Sequence, residues 1–125
     1  MKPSFTKANI FQLISSLEGY DRKEILEEGV AYKLKLSHTQ KMVEVTWPYE
    51  LGEVFLDFYE DNQIIFQDWF ECLESDEVND FIEYIEEVTK RFLFNNSRVH
   101  KKGFLIKTNE LQYLNNDEWL DVFHP

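Results

Sequence analysis

Val54-Phe55-Leu56-Asp57-Phe58-Tyr59 and Ile64-Ile65-Phe66-Gln67-Asp68-Trp69-Phe70, with Glu60-Asp61-Asn62-Gln63 between them, are read as two strands and a tight turn. Aromatic and β-branched side chains suit a pleated strand, and a short connection favours antiparallel pairing. Both faces of this hairpin carry bulk. Val54, Leu56 and Phe58 are backed by Phe55 and Tyr59; Ile64, Phe66 and Phe70 are backed by Ile65 and Trp69. A helix can cover one face. The other must be covered by something else or stay in water, where large aromatics are candidate interface anchors. Burial of those rings by the N-terminal helices or the C-terminal segment is the competing expectation.

Working outward, Val30, Tyr32, Leu34 and Leu36 alternate with Ala31, Lys33 and Lys35, giving a strand before a turn at Ser37–Lys41. Val43, Val45 and Trp47 make another, ended by Pro48, which has no amide to donate to a ladder. On the other side of the hairpin, Ser75 is placed to cap a helix running to about Phe94, with Lys90 and Arg91 at its favourable end. At about 100° per residue, Val78, Phe81, Ile82, Ile85, Thr89 and Phe92 form its apolar side, and Asp76, Asp80, Glu83 and Glu87 the opposite one.

Toward the N-terminus, Ser4 can cap a helix to about Glu18 carrying the stripe Ile10, Leu13, Ile14, Leu17. Asp21 and Glu24 have the spacing of a capping box, which predicts a second short helix to about Glu28. Beyond the long helix, Arg98–Lys101 and Phe104–Thr108 read as extended. Leu111–Leu114 and Trp119–Phe123 read as a hairpin around Asn115-Asn116-Asp117-Glu118, with two short helices as the alternative. The expectation is one α+β domain over residues 1–125. It has N-terminal helices, a central antiparallel meander of about four strands, one long amphipathic helix packed on the sheet and a C-terminal β-hairpin.

Charge is unevenly spread along this plan. Pro48 to Val88 holds fourteen carboxylates and no Lys or Arg, whereas the flanking segments are nearly balanced, and the chain carries −11 overall. An acidic domain is repelled by nucleic acid and by anionic lipid and attracts basic surfaces. Arg98, Lys101, Lys102 and Lys107 form the nearest thing to a nucleic-acid stripe, but a lysine-protected strand edge explains them better. Apolar runs are too short for a membrane span, no signal-peptide core follows Met1-Lys2-Pro3, and Cys72 stands alone. Cytoplasmic residence is the expectation.

Motifs for chemistry are missing. Cys72 lies between Glu71 and Glu74, which would raise its pKa rather than activate it. His38, His100 and His124 are far apart and fit no zinc pattern. Asp57, Asp61 and Asp68 could meet across a hairpin, yet they lack the spacing of a calcium loop. The glycines make neither phosphate-binding arrangement. These readings lead to a non-enzyme with no cofactor and no metal; a small hydrolase with paired carboxylates remains the enzymatic alternative.

In element order, size and acidity, the segment containing Val43-Glu44-Val45-Thr46-Trp47 and Gly52-Glu53-Val54-Phe55-Leu56-Asp57-Phe58, followed by the acidic helix, resembles small bacterial immunity proteins. These are the cognate inhibitors of polymorphic toxins, including those of contact-dependent growth inhibition. The resemblance implies a non-catalytic protein in a one-to-one complex with one toxin domain, often a nuclease with a basic cleft.

Physical reasoning reaches the same kind of partner, because carboxylates can compete for a surface built to hold phosphates. Asp76, Asp80, Glu83 and Glu87 are the expected steering groups, with Glu50, Glu53, Asp57, Glu60, Asp61, Asp68 and Glu71 as a wider field. Phe55, Tyr59 and Trp69 are the expected anchors. A nucleic-acid mimic directed at a DNA-binding defence enzyme, or a small adaptor whose acidity only keeps it soluble, are the alternatives.

Overall fold

Alternation of apolar and polar side chains governs most of the chain. In a computed structural model, residues 15, 18–29, 31–48, 53–71, 78–103, 105 and 108–125 are described. Strands β1 (Arg22–Glu28), β2 (Ala31–His38), β3 (Lys41–Pro48), β4 (Glu53–Glu60) and β5 (Gln63–Glu71) form one antiparallel sheet in chain order. Helix α1 (Val78–Leu93) follows, and β6 (Ser97–Lys102), β7 (Thr108–Asn115) and β8 (Glu118–Asp121) form a second antiparallel sheet. The fold is α+β.

The inner face of the larger sheet is the apolar set that the alternation selects: Leu34 and Leu36, Val43, Val45 and Trp47, then Val54, Leu56 and Phe58, all fully buried. Against it α1 lays Ile82, Ile85, Val88, Phe92 and Leu93, contacting β2 and β3. Beside the helix, the second sheet contributes Leu111 and Tyr113 and, just past β8, Val122 and Phe123. The Phe123 ring lies 5.8 Å from those of Phe58 and Phe70 and 5.9 Å from that of Phe66. Phe58 also meets Phe92 edge-on at 5.1 Å, so one aromatic group joins sheet, helix and C-terminus. A fully buried phenylalanine of this kind is worth about 3–5 kcal/mol against alanine.

Polar bonds pin the layers together. Lys41 Nζ donates to the carbonyls of Phe92 (3.0 Å) and Asn95, satisfying acceptors that the end of α1 leaves open. Arg91 Nη1 donates to the Val122 carbonyl at 2.9 Å.

Several expectations need correction. The short helix expected from Asp21 is strand β1, an edge strand paired with β2 along its whole length from Arg22–Ser37 to Glu28–Ala31. Asp21 caps something else: its Oδ2 accepts from the Thr39 amide at 2.6 Å, and its own amide donates to Ser37 O at 2.9 Å. Neither face of β1 is apolar enough to announce a strand; the ladder from β2 supplies the order. The meander therefore has five strands rather than four.

The C-terminal region is a hairpin, as the extended reading has it, but β6 joins it as a third strand along β7. Its turn residues Asn116 and Asp117 both have positive φ (50° and 66°), as a two-residue hairpin loop requires. Of the first expected helix, only Ser15, which is helical, and Glu18 fall among the described residues. The expected cap at Ser75 lies outside them, as does Asp76.

Candidate protein-docking face

Strand alternation sends Phe55, Asp57 and Tyr59 of β4 to the outer face, away from α1, because Val54, Leu56 and Phe58 point inward. In the β4–β5 ladder Phe55 lies directly opposite Trp69, Asp57 opposite Gln67 and Glu53 opposite Glu71. A register shift between Phe58 and Tyr59 then brings Ile64 across from Tyr59. These apolar side chains stay about half in water: Phe55 is 43% exposed, Trp69 52% and Ile64 49%. No described element packs over this face. Met42 and Thr46 of β3 continue it, opposite Tyr59 and Phe55.

Charge is graded across the same surface. On the β1–β3 side acids and bases are matched: Arg22 pairs with Glu24, and Lys33 with Glu44 at 3.5 Å. On the β4–β5 side they are not. Asp57 accepts a hydrogen bond from Gln67 Nε2 at 2.9 Å, and Glu53 and Glu71 face each other with no cation bonded to either among the described residues. Like charges directly opposite in a ladder cost stability. The Tyr59 hydroxyl registers this environment. Burial first, then the charges of Glu44 and Asp57, push its pKa up against the opposing pull of Lys33.

The other expected site residues lie elsewhere. Asp80, Glu83 and Glu87 are exposed on the far side of α1, which itself covers the inner face of the sheet. A helix and a sheet therefore separate them from Phe55 and Trp69, roughly 20 Å of packed layers. Glu87 is also engaged, since Arg91 Nη2 approaches its Oε2 at 3.2 Å, and Lys90 takes Glu86 at 2.7 Å. Both are i, i+4 pairs in the favourable order. Bases thus do relieve the C-terminal part of the helix row, and among its described members Asp80 and Glu83 remain without an ion pair.

Asp68 alternates to the inner side of β5. It lines a cleft of about 280 Å³ with Phe66, Phe70, Asp121 and Phe123, and its Oδ1 accepts from the Trp69 amide at 2.8 Å. Asp61 sits in the β4–β5 turn at φ 52° and donates its amide to Gln40 O at 2.9 Å. The structure thus brings together Phe55, Asp57, Tyr59, Trp69 and Glu71 on one face and leaves Asp61, Asp68, Asp80, Glu83 and Glu87 off it.

Sequence reasoning did not single out Ile64 as an anchor or Glu53 as the opposite number of Glu71. Both follow from the register, which the bulge resets. Among the described residues no three His, Cys, Asp or Glu side chains converge as a metal site, and no helix is long and apolar enough to cross a membrane. No family model matches the chain, and comparison with curated proteins and with solved structures finds no match.

Proposed function

We propose that this protein is a non-catalytic inhibitor that docks on a basic protein domain, in the manner of an immunity protein neutralising its cognate toxin in the cytoplasm. The observation that carries the reading is the Phe55–Trp69 pair, two large aromatic residues at directly opposite positions of the ladder, each about half exposed, on a sheet face that no described element covers. Isolated exposed apolar residues need no explanation, but a contiguous group of aromatics rimmed by polar groups is what interfaces are built from. Unpaired carboxylates beside the rings favour a partner rich in Lys and Arg, and the net charge of −11 speeds its approach. The rings then slow its departure. Asp80 and Glu83 belong to the long-range field and touch nothing in the complex.

Co-expression with the toxin encoded by a neighbouring reading frame, followed by size-exclusion chromatography, tests this. A one-to-one complex that Phe55→Ser with Trp69→Ser dissolves, with loss of toxin neutralisation, supports it. A complex indifferent to both substitutions overturns it.

A further inference from the structure

Resting on that reading, we propose that the outer face recognises an arginine side chain of the partner, stacked on Trp69 and forked between Glu53 and Glu71. Four side chains form the seat. Directly opposite residues in an antiparallel ladder hold their Cβ atoms about 4.5–5.5 Å apart, and neighbours along one face of a strand are about 7 Å apart. Glu53 and Glu71 are such an opposite pair, and Phe55 and Trp69 are the next pair along the same face. Two carboxylates therefore stand beside two half-exposed rings.

Repulsion between Glu53 and Glu71 finds no relief from any described residue of the chain. A cation arriving from outside relieves it. A metal ion is a poor fit, because no group of three ligating side chains is present there among the described residues. An ammonium would satisfy the charge but gain little from the rings. A guanidinium gains from both, since it is planar, stacks on an aromatic face and presents several N–H donors in its own plane toward carboxylates. The molecule already contains this kind of contact: Arg98 lies 4.2 Å from the Trp119 ring centre while its Nε donates to Gln112 at 2.8 Å.

Titration of the full chain with N-acetyl-arginine amide, N-acetyl-lysine amide and the uncharged N-acetyl-citrulline amide tests the assignment, read from the Trp69 indole N–H resonance. The expected order of response is arginine, then lysine, with citrulline inert. Glu53→Gln with Glu71→Gln should weaken the arginine response about tenfold while leaving the fold at least as stable, since a repulsion is removed. Trp69→Leu, followed through the amides of Glu53 and Glu71, should erase the preference for arginine over lysine.

Equal responses to arginine and citrulline, or a double glutamine variant that responds like the wild type, overturn the proposal. The two readings fail separately. A partner complex that needs Phe55 and Trp69 but tolerates both glutamines at full affinity removes the arginine seat and leaves the docking face standing.

Discussion

Trp69→Ser separates what this residue does for the fold from what it does for binding. About half of the side chain is in water, 52% by accessible surface, so roughly half of its apolar area is available to a partner. A tryptophan offers about 200–250 Å² in all, which leaves about 100–130 Å² to be covered on docking, worth about 3 kcal/mol at ~25 cal/mol per Å². At about 1.4 kcal/mol per decade, affinity should fall about 100-fold.

Folding should suffer far less, because the exposed atoms are hydrated before and after the change. The cross-strand partnership with Phe55 is the main loss, about 0.5–1 kcal/mol. Urea unfolding of the free variant and calorimetric titration with the partner measure the two quantities on one preparation. An affinity within about threefold of wild type, or a stability loss above about 3 kcal/mol, would refute the reasoning, because Trp69 would then be idle in the complex or buried in the free protein.

Three other substitutions probe separate parts of the molecule. Tyr20→Phe should gain about 1 kcal/mol at neutral pH, since the Tyr20 hydroxyl is buried with no hydrogen-bond partner among the described residues, while the edge contact to Phe94 at 5.0 Å survives. Burial, and next the charge of Glu86, push the Tyr20 pKa above its ordinary 10.0, so its ionisation leaves stability untouched below pH 10.0 and lowers it as pH rises from there through the folded value. Urea midpoints taken at rising pH should therefore show a shallower alkaline decline in the variant.

Lys102→Met should raise the Glu110 pKa, seen in a carboxyl ¹³C titration, because the hydrogen bond from Lys102 is the main cause holding it below the usual carboxylate range. That pair's contribution is present above the ordinary carboxylate value and fades as pH falls through the lowered one, so the variant should lose part of its acid-limb dependence. Asp80→Lys with Glu83→Lys should slow association about tenfold at low salt and leave dissociation within about twofold, measured by stopped flow. A faster dissociation would put the helix in the interface.

The strands of the central sheet were legible because one physical rule wrote them. Leu34, Val43, Val45, Leu56 and Phe58 alternate with polar or outward residues, and their burial is complete. The inward face of α1 was legible by its 3.6-residue period, although Val88 and Leu93 are buried there as well. β1 was not, since charged residues dominate both its faces and the Asp21–Glu24 spacing imitates a helix start. Only a partner distant in sequence decides such a segment.

The site was half legible. That Phe55 and Trp69 belong to a surface could be argued from bulk on both faces of the hairpin. Their pairing could not be counted from the Asp61-Asn62 turn, because the bulge after Phe58 shifts the ladder by one residue. Without it, Asp68 would stand opposite Phe55. That the helix carboxylates and the rings lie on different surfaces has a plainer reason: a helix that covers one face of a sheet cannot show its own outer side on the other.

A footprint of the partner on the isotope-labelled protein tests the account most directly. Perturbation should centre on the side chains of Phe55, Tyr59, Ile64 and Trp69 and on the amides of β4 and β5, while Asp80, Glu83 and Glu87 keep their free-state resonances. Perturbation confined to the outer side of α1, with the four apolar residues unmoved, would contradict it.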